Sequence, residues 1–409
     1  MQLRHSIIAL PVLLLAACAT KESGGTFSGT SGLRKIPVSS TTTPAPPLRG
    51  EVTRSEVARH ALKHSPALQS LRAELRALEA EIVQAGLPPN PELDLEIENF
   101  GGSGSTRGFD GAEMTAALSQ KLELGGKRNK RTLVAALRAE ALRSEIRGEE
   151  RQVAAEVDRA FTTLLEAREI LDLSERKLAR AKEQLAALNA MLDAGTRTRV
   201  DVNKAQLAVS EAREQLADAR TFNTSAAADL GRLWGGGSAD VRASGSLTGG
   251  RAATIPANPE AAISKHPTIR AAALRIAERE AAYQLEKARR ISDVNVGGGV
   301  RQLRDAGETA AVVGVSIPLP VFNRNQGNIR AAEERLDRAR AEARAQESEL
   351  RTQLTRSIAE YRGAKTRAND FDARTVAAAK QALGDTETAY RAGKKDLLEY
   401  LDARETLFE

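Results

Sequence analysis

The feature that most constrains the fold is a very long stretch of helix-forming sequence from Lys127 to Met191. It contains no proline and only one glycine, Gly148, before it closes at Asp193–Thr196 with Asp-Ala-Gly-Thr. At 1.5 Å per residue, a helix of about 65 residues is roughly 100 Å long. Because the mean helix of a globular protein has about 11–12 residues, a compact domain cannot contain this rod. We expect it to span a long distance.

The apolar pattern of this helix predicts a close helical partner. An apolar residue recurs at every seventh position, and the positions three residues further on carry mostly small side chains. Such a heptad pattern is typical of helices packed as in a coiled coil. The first series is Val157, Leu164, Leu171, Leu178, Leu185 and Leu192, and the second is Ala160, Ala167, Ser174, Ala181 and Leu188.

The composition agrees with long helices. Aromatic residues make up 3% of the chain and charged residues 28%, and Ala, Leu, Glu and Arg dominate its middle, which is typical of long helices. The net charge is +6. Cations and anions are interspersed along the helices and form no basic block, so no nucleic-acid surface is predicted. The sequence contains no GxSxG, HExxH, CxxC or P-loop pattern. We therefore predict no catalytic residues, no cofactor and no enzyme.

The first 17 residues are typical of a secretory signal peptide. Their apolar stretch, Ile7–Leu15, is too short to span a membrane as a helix. They end in Leu-Ala-Ala directly before Cys18, which resembles a bacterial lipobox, and this resemblance implies cleavage and lipidation at Cys18. Ala19 then favours the outer membrane, and residues 18–50 are predicted to form a lipid-anchored flexible tether. The alternative is an ordinary secretory signal with a chance cysteine.

From Glu51 onward the chain reads as two copies of one pattern. His64-Ser65-Pro66 in the first copy is matched by His266-Pro267 in the second, and each is followed by a predicted helix. These helices are 67–86 and 268–289, and the predicted boundaries are 51–234 for the first repeat, 235–258 for a linker and 259–409 for the second repeat.

Two strand-like stretches follow in each copy, with apolar and polar residues in alternation. They are 93–98 and 113–124 in the first copy, and 294–300 and 313–319 in the second. About ten residues of such alternation suffice to cross a bilayer as a tilted strand. Four strands cannot close a barrel, since the smallest closed size is about eight. We therefore expect a barrel shared between subunits, with twelve strands if three chains contribute. The predicted loops between paired strands are 101–111 and 301–308.

A second long helix is predicted from Asn328 to Arg391. It ends in Ala392-Gly393, which matches Ala194-Gly195 in the first copy. After each turn a new helix is expected, from Asp201 and from Glu399. The apolar positions of the second long helix are Ile329, Leu336, Ala343, Leu350, Leu354, Ile358 and Tyr361.

These features together resemble the outer-membrane factor family typified by TolC, over essentially everything from Glu51 onward. Segments 91–99, 118–127 and 316–328 look most like its heavy-metal branch, the CzcC and CusC type. The resemblance implies a mainly α fold with a small β part: a homotrimer with a long α-helical periplasmic barrel, a shared twelve-stranded outer-membrane β-barrel and two tandem repeats. It departs from the family at the end of the second copy, whose last helix stops shortly after Glu399, so we expect a C-terminal truncation.

The resemblance also implies a function. The chain would be the outer-membrane exit duct of a tripartite efflux pump, working with a periplasmic adaptor (membrane fusion) protein and an inner-membrane RND transporter. The cargo would be heavy-metal cations, either cobalt, zinc and cadmium or copper and silver. Alternatives with the same fold are a duct for drug efflux or for type I protein secretion. An alternative of another class is a coiled-coil structural lipoprotein without a pore.

Family membership assigns roles to residues at the two helix–turn–helix ends. Gly195, Thr196, Gly393 and Lys394 would lie at the periplasmic tips that contact the adaptor. The glycines also suit a helix C-terminus, which commonly needs the left-handed conformation.

Just beyond the second tip, Glu399 and Asp402 lie three residues apart on one helical face. They match the acidic positions that ring the entrance of TolC-like channels, and Lys395 matches a basic residue nearby. Threefold symmetry would make each a ring of charge that selects cations. The alternative is two solvated carboxylates on a charged helix.

A metal site has little support in the sequence. His60 and His64 are four residues apart, a spacing that can hold a metal, but no Cys, Met or third His lies nearby in the sequence. We interpret them as histidines at a helix end and predict no metal site.

Overall fold

The structure is a computed structural model that describes residues 46, 48–236, 240–247, 255 and 258–408. The predicted signal peptide, Cys18 and most of the predicted tether lie outside these residues. Among the helices that are described, none has an apolar stretch long enough to cross a bilayer.

The first repeat contains a short strand, four helices and two longer strands. They are β1 Gly50–Val52, α1 Arg54–His64, α2 Pro66–Gly86, β2 Glu92–Glu98, β3 Glu113–Leu122, α3 Lys127–Asp193 and α4 Arg199–Arg232, with a 3₁₀ turn at Gly104–Thr106.

The second repeat follows the same order after a short strand. Its elements are β4 Val241–Ala243, α5 Pro259–Ser264, α6 Pro267–Ala288, β5 Val294–Leu303, β6 Glu308–Ser316, α7 Gln326–Asp370, a π-helical segment Phe371–Val376, α8 Ala377–Arg391 and α9 Leu397–Phe408.

The long helix α3 confirms the rod predicted from the sequence and packs chiefly against α4, α6 and α2. Every position of the two predicted heptad series is buried or half-buried. The core lies around its middle, where Val157, Phe161 and Leu164 are almost completely buried together with Leu230 and Trp234 near the end of α4. The helix is therefore held by packing along its length.

The four longer strands form one antiparallel sheet in the order β2-β3-β5-β6. Leu118 pairs with Leu93 on one side and with Gly298 on the other, and Gly298 pairs with Val313. Because side chains alternate between the faces of a sheet, this register places most of the large apolar residues of the four strands on one face. That face carries Leu93, Leu95, Ile97, Met114, Leu118, Leu122, Val296, Val300, Val313 and Val315, all of them exposed.

The structure corrects several sequence-based boundaries. The second long helix is interrupted by the π-helical segment 371–376, where one turn is wider than an α-helical turn. β5 runs on to Leu303 and β6 begins at Glu308, so the predicted loop 301–308 shrinks to a tight turn. Ile317 and Leu319, predicted within a strand, lie beyond the end of β6 because prolines 318 and 320 cannot donate to a ladder.

The segment predicted as a linker contains a strand. β4 pairs in parallel with β1, and Val52 lies opposite Ala243. Val52, Val241 and Ala243 are buried in the main core. The three-residue strands carry too little alternation to be recognised in the sequence, and their pairing joins distant parts of the chain.

Candidate functional site

The two helix–turn–helix ends have the same backbone geometry. In tip 1 (residues 194–201), Gly195 has φ +72° and its N–H donates to Leu192 O at 2.9 Å, while Thr196 N–H donates to Met191 O at 3.0 Å. In tip 2 (residues 392–399), Gly393 has φ +69° and its N–H donates to Tyr390 O, while Lys394 N–H donates to Ala389 O, both at 2.9 Å. This is the Schellman arrangement, which satisfies the last carbonyls of a helix.

The backbone conformation at these two positions requires glycine, although there is room for a larger side chain. A Cβ atom at Gly195 or Gly393 would meet no atom within 4 Å. Their positive φ, however, is a region that side chains with a Cβ rarely adopt. The prediction that these glycines cap helices is therefore consistent with the observed geometry.

The next helices begin with reciprocal hydrogen bonds. In tip 1, the Asp201 carboxylate accepts from Thr198 N–H at 3.0 Å and from its hydroxyl at 2.9 Å. In tip 2, the Glu399 carboxylate accepts from Asp396 N–H at 3.2 Å, and Asp396 Oδ1 accepts from Glu399 N–H at 2.9 Å. Each acid thus holds the first turn of its helix in the manner of a capping box. Hydrogen bonds from the backbone and then the side chain of Thr198 lower the pKa of Asp201.

The two tips of the chain lie next to each other. Arg197 of tip 1 and Asp396 of tip 2 approach to 4.0 Å, and the rings of Tyr390 and Tyr400 stack with centroids 5.4 Å apart across the second turn. Sequence reasoning missed Arg197 and Asp396. The Asp396-x-x-Glu399 spacing ahead of a helix was the available signal for the cap, but no sequence signal pointed to the contact with Arg197.

The three residues predicted at the constriction are exposed, with Lys395 in the turn before α9 and Glu399 and Asp402 in its first two turns. Lys395 Nζ is 3.4 Å from Glu399 Oε1, so Glu399 has both a cation partner and the capping role. Asp402 lies one turn further along, and within the described part of the chain its carboxylate forms no salt bridge. In one chain, therefore, the Glu399 carboxylate also supports the first turn of α9, whereas the Asp402 carboxylate has no such structural role.

The sheet face opposite the apolar one is polar and mostly acidic. Asp94 accepts a hydrogen bond from the Ser119 hydroxyl at 2.9 Å. Arg301 lies 3.2 Å from Glu98 and 2.8 Å from Glu113. The acids on this face are Glu92, Asp94, Glu96, Glu98, Glu113 and Glu308, and the bases are Lys121 and Arg301. A sheet with one apolar and one acidic face can separate lipid from a water-filled passage.

His60 and His64 lie together near the end of α4. The rings of His60 and His64 are 4.6 Å apart, and His60 meets the edge of Trp234 at 5.4 Å. Burial lowers the pKa of His60, and the nearby His64 and Lys63 lower it further. In the described residues, no group of three or more His, Cys, Asp or Glu has the geometry to hold a metal ion.

Comparison with known proteins identifies the family. The model of the outer membrane efflux protein family matches residues 57–236 and 258–409. The cobalt-zinc-cadmium resistance protein CzcC of Cupriavidus metallidurans is 30% identical over 343 residues, covering 84% of this chain and 80% of that protein. The nickel and cobalt resistance protein CnrC of the same organism is 31% identical over 72% of this chain and 69% of that protein.

The fold also matches a solved channel. The crystal structure of CusC superposes with a TM-score of 0.72 at 18% identity, covering 87% of this chain and 86% of that chain. Two repeats, a long helical part and a small sheet are thus shared with a transmembrane channel. The chain belongs to the outer membrane efflux protein family, whose members are transport channels that span the bacterial outer membrane and extend into the periplasm, and are not enzymes.

Proposed function

We propose that this chain is the exit duct of a tripartite efflux pump that exports heavy-metal cations. The observation that carries the proposal is the match, along most of both chains, to proteins named for resistance to cobalt, zinc, cadmium and nickel. In this proposal an inner-membrane RND transporter supplies the energy and selects most of the cargo. A periplasmic adaptor joins that transporter to the duct.

The duct itself would be a trimer. β2 and β6 are the edges of the four-stranded sheet, and unpaired edges are not tolerated in lipid. Three copies joined edge to edge would make one closed sheet of twelve strands, with the apolar face toward lipid and the acidic face toward the passage. Lipidation of Cys18 would add a membrane anchor. We expect Cys18→Ser to abolish lipid labelling, and unchanged labelling would contradict lipidation at this residue.

The tips would contact the adaptor and form the constriction. Gly195, Thr196, Gly393 and Lys394 occupy neighbouring turns at the end of the long helices, where a periplasmic partner can reach them. Glu399 and Asp402 would form acidic rings around the threefold axis, with Lys395 beside them. Such rings favour cations because each charge is repeated three times around a narrow opening.

The experiment that tests the cargo is deletion of the gene in its host, followed by growth on increasing zinc, cobalt, cadmium, nickel, copper or silver. We expect greater sensitivity to a subset of these metals and unchanged tolerance of organic toxins. A plasmid copy of the gene should restore growth. Sensitivity to organic compounds alone would contradict metal export, and an unchanged phenotype with a secreted protein missing from the medium would instead indicate type I secretion.

A further inference from the structure

An exposed apolar segment continues beyond the end of β6. Its residues Ile317, Leu319 and Val321 continue the odd-numbered spacing of Val313 and Val315 in the sequence, and all of them are exposed. Phe322 is 90% exposed, which is the highest value among the exposed large apolar side chains. A soluble surface rarely leaves such a continuous apolar run uncovered.

This segment differs from a strand in its backbone. The ladder between β5 and β6 ends at the pair Asn295 and Ser316, and Pro318 and Pro320 follow directly. A proline has no N–H to satisfy, so an extended Pro-rich segment is less costly at an apolar boundary than a strand edge with free donors.

Three cations lie at the same end of the sheet, with Arg128 in the first turn of α3 and Arg290 and Arg324 on the connections before β5 and α7. Arg128, Arg290 and Arg324 are exposed, and none of them appears in an ion pair among the described residues. Two contacts hold the neighbouring segments together, one from the start of α3 to the connection before β5 and one from the connection before α7 to the end of α6. Lys127 Nζ bonds Asp293 Oδ1 at 2.6 Å, and the Asn325 amide bonds Glu286 O at 2.9 Å.

We propose that Ile317–Phe322 and these three arginines form a collar that contacts phospholipid at the periplasmic boundary of the bilayer. The apolar side chains enter the outer part of the acyl region, and the guanidinium groups bind headgroup phosphates, for which their planar donors are well suited. Long cationic side chains and an aromatic ring at this depth are typical of membrane interfaces. The collar rests on the proposed function, in which the apolar face of the sheet contacts lipid.

A depth measurement tests the collar. Phe322→Trp is prepared in the full-length protein and reconstituted in vesicles that contain phospholipid brominated either near the carbonyl end or near the methyl end of the acyl chain. We expect the introduced indole to lose fluorescence, and to lose more of it with bromine near the carbonyl end. The wild-type protein supplies the blank, since its only tryptophan is the buried Trp234.

The matched control is Val313→Trp, which lies within β6 on the apolar face. Its fluorescence should fall most with bromine near the methyl end. Quenching at position 313 without quenching at position 322 would overturn the collar alone and indicate that another copy covers the segment. Absence of quenching at both positions would overturn the lipid-facing sheet of the proposed function as well.

The cations are tested in the Phe322→Trp background. Brominated phosphatidylglycerol should quench the introduced indole more than brominated phosphatidylcholine, because its headgroup carries a net negative charge. Changing Arg128, Arg290 and Arg324 together to Gln should remove this preference while quenching itself remains. Equal quenching by the two lipids before the change would overturn the role of the arginines.

Discussion

Tip 1 and tip 2 close their helices with the same pair of backbone hydrogen bonds, yet the charges around the two turns differ. Tip 1 has Thr198 before its second helix and Lys204 one turn beyond Asp201. At the corresponding places the second turn and the helix after it have Asp396 and Asp402. The first turn is therefore rich in cations, whereas the second has an excess of carboxylates.

This difference separates structural from functional requirements. The glycine turn and the acid at the third helical position occur at both tips, so they explain how the chain reverses and cannot explain a role specific to one tip. Asp402 has no acidic counterpart in tip 1 and caps no helix. A substitution at Asp402 therefore tests the role of its charge without removing a helix cap.

The largest effect is expected from proline at the turns. Gly393→Pro cannot adopt φ +69° and loses the N–H that bonds Tyr390 O, which should cost about 3 kcal/mol locally. Gly195→Pro should have the same effect on tip 1. Cross-linking to the adaptor in cells should fall strongly for both variants. Gly393→Ala, with a cost of about 1–2 kcal/mol for the left-handed conformation, is the matched control, and full cross-linking in either proline variant would remove that tip from the contact.

The helix caps should respond unequally. Asp396→Ala removes the acceptor for Glu399 N–H and the contact with Arg197, and we expect a loss of about 1 kcal/mol in the stability of the first turn of α9. Thr198→Ala should cost less, since it removes the hydroxyl bond to the Asp201 carboxylate but no contact between the two tips. Hydrogen exchange of the amides after each turn measures both effects. Equal protection losses would contradict the asymmetry.

Charge can be removed from tip 2 while its cap is kept. Gln serves as well as Glu at the third helical position of a capping box, so Glu399→Gln with Asp402→Asn should leave exchange protection unchanged. In planar bilayers the ratio of cation to anion permeability should move toward unity. Asp201→Asn in tip 1 is the matched control and should leave the ratio unchanged. A constant ratio in the double variant would exclude tip 2 from the constriction.

The smallest effect concerns pH. Because the pKa of Asp201 is lowered in the folded chain, its contribution to stability is complete above the ordinary carboxyl value of about 3.9. It is lost as pH falls below that value toward the folded pKa. Exchange protection in the first turn of α4, corrected for intrinsic rates, should therefore decrease at acidic pH. Asp201→Asn should lack this dependence, and the same dependence in that variant would assign it to another group.

Features governed by nearby residues could be predicted from the sequence. α3 follows from a long run without proline, the turns at Gly195 and Gly393 follow from glycine placement, and the alternating strands follow from a period of two. Each depends on hydrogen bonds or on side-chain spacing within a few residues. The resemblance to a family then supplied the roles of Glu399 and Asp402, which the local pattern alone could not provide.

Other features were decided by the tertiary structure. The pairing of β3 with β5 joins the two repeats, and the pairing of β1 with β4 places part of the linker in the core. The contact of Arg197 with Asp396 brings the two tips together. These contacts join residues far apart in the chain, so their formation depends on how the long helices pack and not on local preference. The sequence by itself determined which segments are helices, turns and two-faced strands, and the packing of those segments decided which of their charges meet.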